Sequence, residues 1–207
     1  VSSTQTEGTG RLEAFSDGVF AIAITLLVLE LKEPADGSGG LWHGLVHEWP
    51  QFAAYLVSFF IIGIMWMNHH SMFSNIVRAD RKLLLLNLLL LLWTSLIPFP
   101  TALVSRHLSG NGADASTAEA VYSANLTLAA IAFSGLWFHA VRSGLLAVPM
   151  SREAQRSSIW RFSVGTLVYA ATIGIAFVSP LAALVIQFLL AGYYLFEQVV
   201  TRDPRTA

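Results

Sequence analysis

Six stretches of this sequence, 12–31, 50–73, 82–104, 118–141, 158–178 and 180–200, are dominated by apolar residues. Each matches the length an α-helix needs to cross a hydrocarbon core about 30 Å thick, roughly 20 residues. Composition points the same way, with 55% hydrophobic and 12% charged residues in a chain of 207 and a mean hydropathy of +0.60. The expected fold is an all-α membrane protein with six transmembrane helices. The fifth and sixth spans meet at Ser179-Pro180. Proline opens a helix but does not continue one, so this junction reads as a tight hairpin.

The run 19–31 shows no small-x-small cleavage pattern and ends in Glu30-Leu31-Lys32-Glu33, which marks it as a retained span rather than a signal peptide. Residues 1–10 read as a disordered tail, 11–201 as one transmembrane domain and 202–207 as a second tail. Connectors such as Glu33-Pro-Ala-Asp-Gly-Ser-Gly-Gly40 and Ser109-Gly-Asn-Gly-Ala-Asp114 carry the residues that break helices.

Charge placement sets the orientation, because lysine and arginine near span ends stay on the cytoplasmic side. With the N-terminus inside, that side receives Arg11, Arg78, Arg81, Lys82, Arg142, Arg152, Arg156, Arg161, Arg202 and Arg205. Only Lys32 and Arg106 remain outside, and both termini are cytoplasmic. The outer side collects Glu30, Glu33, Asp36, Glu48, Asp114 and Glu119, either as an acidic mouth that concentrates cations or as ordinary solvated loop charges. A net charge of −1 gives no reason to expect a nucleic-acid partner. The absence of cysteine removes disulfides, thiolate metal sites and cysteine nucleophiles.

The first span differs from the others in placing Arg11, Glu13, Ser16 and Asp17 at its cytoplasmic end. Ionisable groups at membrane depth persist when they pair inside a bundle or line a wet cavity, which makes Asp17 a candidate functional residue. At about 100° per residue, Arg11, Phe15, Gly18, Ile22, Leu26 and Leu29 share one stripe, with Thr25 on its flank. Ser16 and Asp17 point away from that stripe. The stripe is open to two readings, lipid or packing contact on one hand and a functional face on the other. Thr25 is equally open, since a membrane threonine commonly bonds the carbonyl of its own preceding turn.

Partners for Ser16 and Asp17 stand at the same membrane level: Trp66-Met-Asn-His69-His70-Ser71 closing the second span, and Asp80-Arg81-Lys82 with Asn87 opening the third. A structural polar network of Arg11, Phe15, Ser16, Asp17, His69, His70, Asp80 and Asn87 would fix the first helix, each bond contributing about 1 kcal/mol. His69 and His70 are adjacent, so their side chains diverge by about 100° and do not present two ligands to one metal ion. No nucleophile elbow or metalloprotease helix motif accompanies Ser16, Asp17 and the histidines, so no catalytic site is expected.

Arg11-x-x-x-Phe15-Ser16-Asp17 followed by an apolar helix resembles the signature of the bacterial relatives of transmembrane protein 175, the lysosomal potassium channel. Trp66-x-x-His69, the run from Asp80 to Asn87 and Leu96-Ile-Pro-Phe-Pro100 resemble the same family. The resemblance implies a potassium-selective cation channel in a bacterial inner membrane, a homotetramer with the first helix lining a central pore. It implies a hydrophobic constriction at Ile22 with further apolar rings at Leu26 and Leu29. Thr25 matches the hydroxyl position tied to selectivity. Potassium would be the permeant ion, membrane lipids the surroundings, and no cofactor is implied. No Thr-Val-Gly-Tyr-Gly filter is present. The competing functions are a proton-coupled transporter or proton pathway using Asp17 and His69 or His70, and a non-conducting scaffold.

Overall fold

The computed structural model describes residues 6–34, 40–110, 112–148 and 151–200. The tail 202–207, residues 1–5 and Asp36 lie outside them. Eight α-helices follow in order: α1 Thr6–Leu26, α2 Gly40–His47, α3 Trp49–Phe73, α4 Arg81–Leu96, α5 Pro98–His107, α6 Ala113–Arg142, α7 Arg152–Ala176 and α8 Pro180–Val200. Among the described residues, five helical segments are long and apolar enough to cross a membrane: Thr9–Glu30, Trp49–Phe73, Arg81–His107, Ala113–Arg142 and Arg152–Ala176. The apolar helix Pro180–Leu195 is shorter. The chain is thus an all-α, multi-pass membrane protein.

Several boundaries depart from the sequence reading. The first helix begins at Thr6, inside the stretch expected to be a disordered tail, and tightens into a 3-10 turn over Leu27–Glu30. The third span is two helices: Pro98 and Pro100 lack the N–H that an unbroken ladder needs, and the ladder is interrupted at Ile97 between α4 and α5, although Ile97 itself keeps helical dihedrals. Residues 40–47 form a short helix where only connector was expected. Three helix starts follow from local chemistry. Asp80 and Ser151 accept from backbone N–H groups of Leu83 and Ala154, and Ser179 Oγ accepts from Ala182, which opens α8 directly after the expected hairpin.

α6 is the hub, packing against α4, α5, α7 and α8, while α1 rests on α3 and α4 and its 3-10 turn on α3 and α5. One core cluster joins Phe20, Leu27, Ile61, Ile62, Tyr122 and Leu184; another joins Met72, Leu83, Leu90, Phe133 and Leu136. At the end bearing Arg78, the loops after α3 and α6 clasp each other. Val77 N–H donates to Leu145 O at 2.9 Å, Ala147 N–H to Asn75 O at 2.9 Å, and the Arg78 guanidinium to Gly144 O at 3.1 Å. Gly144 makes this turn with φ of 63°, a left-handed conformation that favours glycine.

Candidate ion path and its polar brace

α1 sorts its residues by face. Ser16, Phe20, Ala23 and Leu27 recur at spacings of four, three and four and are all buried. Phe15, Gly18, Ile22, Thr25, Leu26 and Leu29 are exposed, Ile22 to 61% and Leu29 to 69%. Leu29 stays on the uncovered side even though the 3-10 turn advances each residue by about 120°.

The buried side is held by a chain of three hydrogen bonds. Ser16 Oγ donates to Leu12 O at 2.8 Å and accepts from Asn87 Nδ2 at 2.9 Å. Asn87 Oδ1 lies 2.9 Å from His69 Nε2, so with its amide nitrogen committed to Ser16, Asn87 accepts there and the Nε2 nitrogen carries the hydrogen. The His69 ring is wedged between Phe20 at 5.3 Å and Phe73 at 4.2 Å between centroids. Ser16, His69 and Asn87 are all fully buried.

Two further contacts tie α1 to α3. Trp66 Nε1 donates to Asp17 Oδ1 at 2.9 Å, and Glu13 Oε1 meets His70 Nδ1 at 2.8 Å, with the His70 ring stacked on Trp66. Of the residues expected in the network, Ser16, Asp17, His69, His70 and Asn87 come together around α1. Arg11 and Phe15 stand instead on its exposed face.

Asp80 also stands apart from this brace. It caps α4 through the Leu83 N–H at 2.7 Å and holds His139 Nε2 of α6 at 2.9 Å. The capping bond, followed by the His139 contact, holds its carboxyl below the usual aspartate range. Glu13 and His139 escaped the sequence reading as bonding residues, whereas Trp66 stands in the run that supplies partners for Ser16 and Asp17. Trp66 stands one helical turn from both His69 and His70, which sets it beside them toward α1.

Thr25 Oγ1 donates back into its own helix, 3.0 Å from Ala21 O and 2.9 Å from Ile22 O. Its hydrogen is therefore spent internally, and its lone pairs face the exposed side. Glu119 departs from the outer acidic set: it is fully buried in the bundle and lines no mouth. Glu30 of that set pairs with Arg106 at 3.5 Å. Among the described residues no three His, Asp or Glu side chains gather as a metal site.

Residues 11–98, which take in most of α1 together with α3 and α4, match the family described as "Endosomal/lysosomal potassium channel TMEM175". A potassium channel of Streptomyces collinus is 51% identical over 193 residues, 92% of this chain and 93% of that one. The mouse endosomal/lysosomal proton channel TMEM175 is 42% identical over 97 residues, 42% of this chain and 19% of its own length. In structure, a lysosomal potassium-selective channel TMEM175 homologue from Chamaesiphon minutus superposes with a TM-score of 0.82 at 38% identity, covering 92% of this chain and 98% of that one. Identity and fold run together along nearly the whole length, and the chain belongs to the TMEM175 family.

Proposed function

We propose that this chain is one subunit of a potassium-selective channel in a bacterial inner membrane, with six spans per subunit, both termini cytoplasmic and four subunits around a pore lined by α1. The observation that carries this reading is the two-faced first helix: one side is fixed by Ser16, Asn87 and His69, and the other leaves Ile22, Leu26 and Leu29 uncovered. The names of the Streptomyces and Chamaesiphon relatives as potassium channels support it.

In this reading Ile22 forms the tightest ring, with Leu26 and Leu29 as further apolar rings. Such a ring excludes water and imposes a barrier on a hydrated ion until it widens or wets. Thr25 offers acceptor lone pairs beside the ring, where they replace part of the hydration shell of potassium. The brace keeps α1 from rotating, so that the rings stay aligned.

A second reading, a proton path, rests on the mammalian relatives named as proton channels and on the Glu13–His70 contact at the helix entrance. One assay separates these functions. Purified protein in potassium-loaded vesicles is expected to release potassium down its gradient without obligate proton movement. Proton flux alone supports the proton path, strict coupling of the two supports a transporter, and no flux from folded protein supports a scaffold.

A further inference from the structure

At the junction of α6, α7 and α8, away from the α1 face, the side chains of Glu119, Ser123, Thr172 and Gln187 meet, all four of them fully buried. Gln187 Nε2 lies 2.9 Å from Glu119 Oε1, 2.8 Å from Ser123 Oγ and 3.2 Å from Thr172 Oγ1. An amide has two hydrogens to give, and the Thr172 hydroxyl already donates to Tyr169 O at 2.6 Å. The cluster is short of hydrogens: Glu119 Oε2 and Gln187 Oε1 have no partner.

Among the described residues no cation pairs with the carboxyl. Arg106 of α5 pairs with Glu30, and Tyr122, one turn along α6, places its hydroxyl 2.8 Å from Ser58 Oγ. Tyr169 offers the cluster only its backbone carbonyl. Arg81 and Lys82 open α4 at its far end, and along α7 Arg152, Arg156 and Arg161 stand 20, 16 and 11 residues before Thr172, about 30, 24 and 16 Å away at 1.5 Å per residue. His107 and Asp114 occupy the helix ends on the near side, one or more turns from the cluster. An ionised carboxylate among neutral groups at this depth carries a desolvation penalty that the one amide hydrogen bond from Gln187 offsets only in part.

We propose that Glu119 is an internal proton-binding site, whose neutral acid rather than carboxylate ties α6 to the α7–α8 hairpin. Binding transfers one proton from hydronium to a carboxylate oxygen, forming the O–H bond and releasing water. With the Gln187 amide as it stands, its Nε2 hydrogens go to Glu119 Oε1, the carbonyl oxygen of the acid, and to Ser123 Oγ, and the added proton sits on Glu119 Oε2, the carboxyl oxygen that no donor reaches. Four side chains are too few oxygen groups to replace the hydration shell of an alkali cation, which favours the proton as ligand. Access is at hand: a crevice lined by Leu108, Ser116, Ser179 and Pro180 opens at this end, with Ser116 one turn before Glu119.

The test uses full-length protein in lipid vesicles, carrying isotope-labelled glutamate. At neutral pH the infrared carbonyl band of a protonated, labelled carboxylic acid is expected, and E119Q should abolish it. In detergent, the folding equilibrium of the wild type should fall about tenfold per pH unit relative to E119Q once pH exceeds the free glutamate value of about 4.3, because only the unfolded chain then releases that proton. Absence of the band overturns the proposal. So does an equal pH slope in the two proteins, or a stability that depends on sodium or potassium and loses that dependence in E119Q. If E119Q does not fold, the labelled band of the wild type alone decides.

Discussion

Asn87 of α4 donates to Ser16 of α1 at 2.9 Å while accepting from His69 of α3 through its other amide atom. One fully buried side chain thus joins three helices, and each end of its amide meets a group able to use it. Asn87→Leu strands the Ser16 oxygen and the His69 hydrogen together and should cost about 1–3 kcal/mol, read as a drop in thermal unfolding midpoint in detergent. Ser16→Ala should cost less, because it strands one buried partner, the Asn87 amide hydrogen, and leaves the His69 contact intact.

The Asp17–Trp66 contact should behave as a unit. Trp66→Phe and Asp17→Ala each remove the same bond, so the double variant should lose less stability than the two single losses combined. A coupling of about 1 kcal/mol is expected from a double-mutant cycle. Additive losses would show that the two residues act separately.

Acid should loosen the α4–α6 contact at Asp80. Its carboxyl is held below the free aspartate value, so the stability it contributes is present above about pH 4 and is lost as pH falls through the lower folded value. Because this carboxyl is partly exposed, solvent screens the effect and it should be modest. Asp80→Ala should show a flatter acid limb in unfolding midpoint against pH than the wild type.

Ile22→Asn should raise potassium flux through reconstituted vesicles by making the proposed constriction easier to wet. Since Ile22 is 61% exposed in the subunit, the unfolding midpoint should barely move. Equal flux in variant and wild type would place the constriction elsewhere.

The periodic apolar stretches made the spanning helices legible, and the stripe from Phe15 to Leu29 emerged from helical spacing alone, because both depend on chain geometry. The break at Ile97 was within reach, since Pro98 and Pro100 announce it, yet length alone merged α4 with α5. The brace was legible at Ser16, His69 and Asn87 because polar groups at one membrane level need one another. Asp80 was misassigned to that brace, since its partner His139 lies 59 residues away and no local pattern links them. Glu119 was read with the outer acidic set, as part of a mouth or as a solvated loop charge, because it stands near a helix start. Only packing shows that Gln187, 68 residues on, covers it.

The chain has no cysteine, so a single introduced thiol reports on one position. The most direct test of the proposed pore is potassium flux through Ile22→Cys, Leu26→Cys and Leu29→Cys before and after a small charged thiol reagent. The exposed α7 position Leu167→Cys and the unsubstituted chain serve as controls. Block confined to the three α1 positions is the predicted result. Unblocked flux at all three, or block at Leu167→Cys alone, would contradict a pore lined by the first helix.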